Sequence, residues 1–313
     1  MNNCLVFQGI SEINNPYARE IGEMRIKIVS AGGGVTAKSA ANSGNKLKIL
    51  TPGVTFTNSG FVGETEQTVS NAGERNCTVS APCEIAIYDK YNLAVLRDSS
   101  YYLEMDINEL SYANNMTSIL IKDDSSLTDS IGDINVLHTM TKLTDVSIYS
   151  KHVTGDLQNL PEAPNLWGLK FSNADGARHA NITGDIANVA NKFGALVDVY
   201  LVGTDVYGSI ESFSGKYIDT LRDVLLANTQ VSGQISGFAN HSALRQLQLG
   251  NTNVTGNFGQ LVNVPALAGL WVPSTVTYTS ADATRIDALL ESNGATIRPD
   301  GHYFAGGTLV ENY

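Results

Sequence analysis

Cysteine is nearly absent from this chain: Cys4, Cys77 and Cys83 are three among 313 residues. An odd number leaves at least one thiol unpaired, so no disulfide framework is expected. Cys77 and Cys83, with five residues between them, also miss the C-x-x-C spacing of a zinc pair. They read as small buried hydrophobes in a chain made with reduced thiols, with a labile bridge between them as the alternative. Histidine is as scarce. His138, His152, His179, His241 and His302 are scattered, with no H-x-x-x-H or H-E-x-x-H spacing to set two on one face. Surface or turn histidines are the expectation, and no metal or cofactor is.

Positive charge is also short. The balance of 20 basic against 31 acidic residues gives a formal charge of −11, which repels phosphate backbones, and no basic run offsets it. Nucleic acid is therefore not expected as a partner. No apolar stretch reaches the roughly 18 residues of a membrane span. The opening MNNCLVFQGISEINNPYAREIG has neither a basic start nor an apolar run, so nothing in it directs secretion.

What is present is repetition. LRDVLLANTQVSGQI from Leu221 is followed by LRQLQLGNTNVTGNF from Leu244. The repeat-opening leucines are Leu143, Leu166, Leu196, Leu221, Leu244 and Leu267, in steps of 23, 30, 25, 23 and 23 residues. Such a period predicts a solenoid, and solenoids bind or scaffold far more often than they catalyse. Counting from Leu244, positions one, four and six (Leu244, Leu247, Leu249) point inward, while Val254 and Phe258 fill the opposite wall. Position nine is Thr204, Thr229 or Thr252, whose hydroxyl can reach backbone groups left unpaired in the turn. Gly155, Gly184, Gly208, Gly233 and Gly256 each follow an inward Val or Ile by two residues and allow a tight turn.

The repeat, L-x-x-L-x-L-x-x-T-x-V-x-G-x-I, resembles the leucine-rich repeat family in the variant common in plant receptors and bacterial surface proteins. It departs from that variant in lacking the proline after the last isoleucine and in a seven-residue insertion within FSNADGARHANITGD. CLVFQGI, GEMRIKI and EIAIYDKYNLAVL, leading into the repeats, further resemble leucine-rich repeat proteins of tailed phages of gut Bacteroidetes, including the crAss-like group. That resemblance implies a virion or tail-associated accessory protein, assembled in the host cytoplasm.

Residues 1–100 have a different texture. CLVFQGI, MRIKIVS, NKLKILT, CEIAIYD and LAVLRD alternate with Gly, Asn and Ser clusters, and MRIKI and EIAIY alternate apolar with other residues. The fold class expected is α+β, predominantly β: an N-terminal small β-sandwich-like docking domain at 1–100, then a leucine-rich repeat solenoid at 101–313 with a C-terminal helical cap. Within the solenoid an opening repeat occupies residues 101–140, regular repeats 143–272 and the cap 273–313. In the opening repeat Met116, Ile119 and Ile121 carry the pattern, and Leu127, Ile131 and Ile134 continue it. In the cap, ADATRIDALLESNG predicts a helix with Ala281, Ile286, Leu289 and Leu290 inward, closed by Asn293-Gly294.

Two stretches imitate chemistry. Gly32-Gly33-Gly34-Val35-Thr36-Ala37-Lys38-Ser39 falls one residue short of a phosphate-binding loop, and the turn composition after it offers no helix N-terminus, so a mobile hairpin loop is the better reading. Asp123, Asp124, Asp129 and Asp133 lack the spacing of an EF-hand and read as solvated turns. No set of nucleophile, base and orienting group emerges, so the chain reads as non-enzymatic.

Because strand side chains alternate, positions three, five and seven form an exposed, concave face. Position five runs Leu120, Ser147, Lys170, Tyr200, Leu225, Gln248 and Trp271, flanked by Asp145, Tyr149, Asp198, Val202, Asp223 and Gln246. Aromatic residues on a surface are enriched in binding hot spots, so Tyr149, Lys170, Tyr200, Leu225, Gln248 and Trp271 are the candidate binding residues. The partners expected are virion proteins or copies of this chain. The alternative is a bacterial surface or effector-like protein that engages host proteins or glycans.

Overall fold

The computed structural model describes residues 22–58, 60–123, 127–172, 181–297 and 303–305, the last three and 295–297 as backbone alone. CLVFQGI, Cys4, Asp124, His179, His302 and the inserted loop at 173–180 lie outside the described residues.

The chain is predominantly β, with short helices, and its repeats wind as a solenoid of parallel strands. Each coil contributes one strand to each of two walls. Asp145–Tyr149, Gly168–Ser172, Asp198–Tyr200, Asp223–Leu225, Gln246–Gln248 and Gly269–Trp271 pair in parallel, one after the next. The opposite wall pairs Ile131–Asp133, His152–Asp156, Ile182–Asp185, Asp205–Ser209, Gln230–Gln234, Asn253–Asn257 and Val276–Thr277. Leu221, Val224 and Leu226 of one coil, like Leu244, Leu247 and Leu249 of the next, are buried between the walls with Val231 and Val254. A lone coil cannot bury that row, so stacking against neighbours supplies the driving force.

Turn chemistry explains the repeat's polar positions. The hydroxyls of Thr204, Thr229 and Thr252 each donate to a carbonyl three residues back, those of Leu201, Leu226 and Leu249, at 2.7 Å. Ahead of them Asn228 and Asn251 take left-handed backbone, and their amides form a ladder, Asn251 Nδ2 donating to Asn228 Oδ1 at 2.9 Å.

The residue after a repeat glycine has a role the sequence reading passed over, in every coil but that of Gly233, where Gln234 makes no side-chain cap. Asp133, Asp156, Asp185, Ser209 and Asn257 accept from the backbone N–H two residues on, capping the short helical turn that follows. Strands of this wall are staggered so that the glycine of one coil faces the inward Val or Ile of the next: Gly208 opposes Val231, and Gly233 opposes Val254.

Strands between residues 22 and 104 contribute to two sheets. Glu66–Val69, Asn45–Ile49, Cys83–Ile87, Met24–Ile28 and Leu103–Glu104 form an antiparallel five-stranded sheet, in that order. Arg75–Thr78, Gly34–Ser39 and Leu93–Asp98 instead join the repeat sheet, where Leu93–Asp98 pairs in parallel with Ser118–Lys122. That sheet therefore runs unbroken from Arg75–Thr78 through the last repeat strand, Gly269–Trp271, to Tyr303–Ala305 and Ala295–Ile297, twelve strands among the described residues. Met24, Ile26, Leu47 and Ile85 share one core cluster with Leu96, Ile119 and the repeat leucines.

Several expectations are corrected. Of the glycine-rich stretch only Gly32 and Gly33 lie in a turn; Gly34–Ser39 is a strand rather than a loop, paired in the ladder, and a Cβ at Gly34 would lie 2.4 Å from the Cys77 carbonyl oxygen. Leu127 and Ile131 are exposed, while Met116, Ile119, Ile121 and Ile134 are buried. The helix Ser280–Ser292 buries Ile286 and Leu290 and packs Ala283 and Leu289 against the core, but Ala281 is exposed in its first turn. Asp123 is buried, not solvated, and accepts from the Ser130 N–H at 3.0 Å. His241 is also buried, its ring edge-on to Phe238, while His138 and His152 are exposed. Cys77 and Cys83 are free and buried, and burial pushes the thiols up to about 12 and about 11.

Candidate functional site

Position five forms a continuous ladder. Leu120, Ser147, Lys170, Tyr200, Leu225, Gln248 and Trp271 lie opposite one another in register across seven strands. Leu120, Lys170, Tyr200, Leu225 and Gln248 are half-buried, as is Tyr149 at position seven, so each keeps an outer surface. Ser147 and Trp271 are buried. Trp271 corrects the expectation of exposure, and its reason is local. Gly250 stands at position seven of the preceding coil, where other coils carry Tyr149 or Val202, and a Cβ there would lie 2.0 Å from the indole. The ring occupies that hollow, and the strand Tyr303–Ala305 pairs alongside Leu270.

Position three supplies buried carboxylates beneath this row. Asp198 and Asp223 side chains are 3% and 1% exposed, yet each is met by cations. Lys170 Nζ lies 3.0 Å from Asp198 Oδ2, and Arg222 Nη2 3.2 Å from Asp198 Oδ1. Arg245 holds Asp223 through both Nε and Nη2 at 3.2 Å, and the Tyr200 hydroxyl donates to Asp223 Oδ2 at 3.3 Å. Two-point guanidinium contact with a desolvated carboxylate fixes geometry as well as charge. The Lys170 ammonium also sits over Tyr200 and Trp167, 4.8 and 5.5 Å from the ring centres. A second pair repeats the device, with Lys122 over Tyr101 and Tyr149 at 5.0 and 5.6 Å.

Burial pushes the Tyr149 hydroxyl up to about 12 and raises Tyr200 too, where Asp223 and Asp198 add to the effect. Both phenols stay neutral and act as hydrogen-bond donors rather than bases. Asp145 is raised by desolvation, with Lys170 and Arg97 pulling it back, and its Oδ1 has no hydrogen-bond partner among the described residues. The face thus presents neutral phenols, aromatic edges and half-exposed guanidiniums over carboxylates already neutralised. Such a surface suits contact with a partner's carbonyls, carboxylates or flat apolar groups.

The sequence reading missed Trp167, Arg222 and Arg245. All three stand at position two, just before the strand, where their amides donate to the position-two carbonyl of the preceding coil: Arg245 N–H to Arg222 O at 2.7 Å, Trp167 N–H to Thr144 O at 2.9 Å. The available signal was arginine at one repeat phase directly ahead of Asp223 and Gln246.

These features define a leucine-rich-repeat-like parallel solenoid with a side-chain ladder on one wall. No family model matches the chain, and no curated protein does. Among solved structures it is similar to a plant ice-binding protein, at 20% identity and a TM-score of 0.38 over 57% of this chain and 52% of that one. It is also similar to an internalin from Listeria monocytogenes, at 16% identity and a TM-score of 0.28 over 56% of this chain and 58% of that one. The chain spans little more than half the length of either, and the reading of the site rests on its own geometry.

Proposed function

We propose that this chain is a non-enzymatic binding protein that holds a protein partner against the ladder formed by Tyr149, Lys170, Tyr200, Leu225 and Gln248. The observation that carries this reading is the neutralised ribbon. Asp198 and Asp223 are saturated by Lys170, Arg222 and Arg245, and the phenols are held protonated, which favours fixed recognition over proton transfer. In this reading the strands before residue 100 are a β-sandwich-like docking domain, and residues 273–313 close the far end of the solenoid.

The finer proposal is a virion accessory protein on the head or tail of a tailed phage, contacting virion proteins or copies of itself. The resemblance carried by GEMRIKI, EIAIYDKYNLAVL and the repeats supports it. Mass spectrometry of purified virions tests it: the chain is expected at a fixed copy number, and Leu225→Ser with Gln248→Ala should lower that number without moving the melting temperature. Absence from virions, with recovery at the surface of the producing cell, would favour a bacterial surface protein that engages host proteins or glycans. Unchanged incorporation of the double variant would remove the ladder from the reading.

A further inference from the structure

At the N-terminal end of the repeat sheet lies an open cleft of about 470 Å³, lined in part by Lys38, Arg97 and Lys142. No run of sequence shows this cluster, because its members are 59 and 45 residues apart. The sheet assembles it: Lys38 pairs with Val95 on the neighbouring strand, and Val95 in turn opposes Ser118, so Lys38 and Arg97 face the same side. Three cations against one carboxylate, Glu74, reverse the local sign in a chain of net charge −11.

The cations are not equivalent. Arg97 is occupied, with Nη1 3.1 Å from Glu74 Oε2 and Nε donating to Ser118 Oγ at 2.8 Å. Lys142 donates to the Asn115 side chain and has no carboxylate partner among the described residues. The Lys38 ammonium, half-buried on its strand, has no hydrogen bond or ion pair among the described residues. On the five-stranded sheet, by contrast, Lys27, Lys46 and Lys48 are each paired with a glutamate.

The neutral lining has a direction as well. Thr117 and Thr144 donate their hydroxyl protons inward, to the carbonyls of Ala94 and Thr117, at 3.0 and 2.9 Å. Their oxygens are thereby left as acceptors toward the cleft. Ala94 and Val95 make the floor apolar. The complement of ammonium donors, hydroxyl acceptors and an apolar floor is a molecule that carries a carboxylate, several hydroxyls and a C–H face. We propose that this cleft binds an acidic sugar, its carboxylate on Lys38 and Lys142 and its hydroxyls donating to Thr117 and Thr144. The site shares no residue with the ladder described above and does not depend on that reading.

Calorimetric titration of the full chain with a galacturonate trimer tests this, with a neutral glucose trimer and inorganic phosphate as comparison probes. The acidic trimer is expected to bind with one site per chain, more weakly as salt is raised. Lys38→Gln with Lys142→Gln should weaken it about tenfold or more, and Lys142→Gln alone, at an exposed side chain, should show part of that loss. Lys27→Gln with Lys48→Gln removes the same charge from the other sheet and should leave binding unchanged. Four results overturn the proposal: no binding of the acidic trimer, equal binding of the neutral trimer, phosphate binding as tightly, or an equal loss in the Lys27 and Lys48 variant. Melting curves of each variant separate lost binding from lost fold.

Discussion

Gly208 has φ +96°, and a Cβ built on it would lie 2.1 Å from Asp185 Oδ1, the side chain that caps the helical turn one coil earlier. Glycine is therefore required twice over at this phase of the repeat, by backbone conformation and by a neighbour's cap. Gly215, at φ +71°, meets only the first demand, since nothing lies within 4 Å of its added Cβ. Gly208→Ala is expected to cost roughly 3 kcal/mol and Gly215→Ala about 1 kcal/mol. Asp185→Ala alone should cost about 1 kcal/mol through its cap. Combined with Gly208→Ala it should cost less than the sum by about 1 kcal/mol or more, because the clash has gone. Urea denaturation of the four variants measures the coupling, and strict additivity would show that cap and glycine are independent.

Along the strand row at position three, two aspartates of the same repeat phase should respond oppositely to the same substitution. Asp145 is half-buried, its Oδ1 buried and without a hydrogen-bond partner among the described residues, and desolvation raises it, so the folded protein holds its proton at pH values where the unfolded chain has released it. Its contribution to stability is present below the ordinary carboxylate range and is lost as pH rises through the raised value. Asp145→Asn is therefore expected to be neutral or stabilising by up to about 1 kcal/mol at pH 7, a gain that vanishes in acid. Asp223→Asn, by contrast, removes the anion held by Arg245 and Arg222 and the acceptor of Tyr200, and should cost about 2 kcal/mol. Thermal melts at pH 3 and pH 7 check both signs, and a loss at Asp145 equal to that at Asp223 would refute the contrast. The ladder itself was legible in the sequence, because the recurring repeat-opening leucines, despite unequal steps, and strict alternation set the order from Leu120 to Trp271. Burial of Trp271 was not, since it depends on the hollow left by Gly250 of another coil, which the repeat pattern does not predict. Ala281 misled for a related reason: helical periodicity places it on the apolar stripe, but the first turn, capped by Thr279 and Asp282, overhangs the core edge. The arginines at 222 and 245 escaped because position two precedes the strand, where alternation alone assigns no face.

For the molecule as a whole, the sheet that carries the ladder has no break where the repeats begin. Leu93–Asp98 hydrogen-bonds in parallel with Ser118–Lys122, and Leu93 and Leu96 share their core cluster with Ile119, Ile121 and Met116. In a solenoid each coil is stabilised chiefly by its neighbours, so the first repeat depends on these strands as an inner repeat depends on the coil before it. A fragment of residues 101–313 should then expose both an apolar flank and an unpaired strand edge, which invites aggregation. Fully exposing side chains such as Ile119 and Ile121 costs about 1.5–3 kcal/mol each, so the fragment is expected to lose on the order of 5 kcal/mol or to give no cooperative transition. The full chain should melt in a single calorimetric transition that includes the five-stranded sheet. A fragment that melts at the temperature of the full chain would mean that the repeats fold without the strands before them. Residues 1–100 would then serve attachment alone, and the unbroken sheet would be a contact between two independently stable bodies.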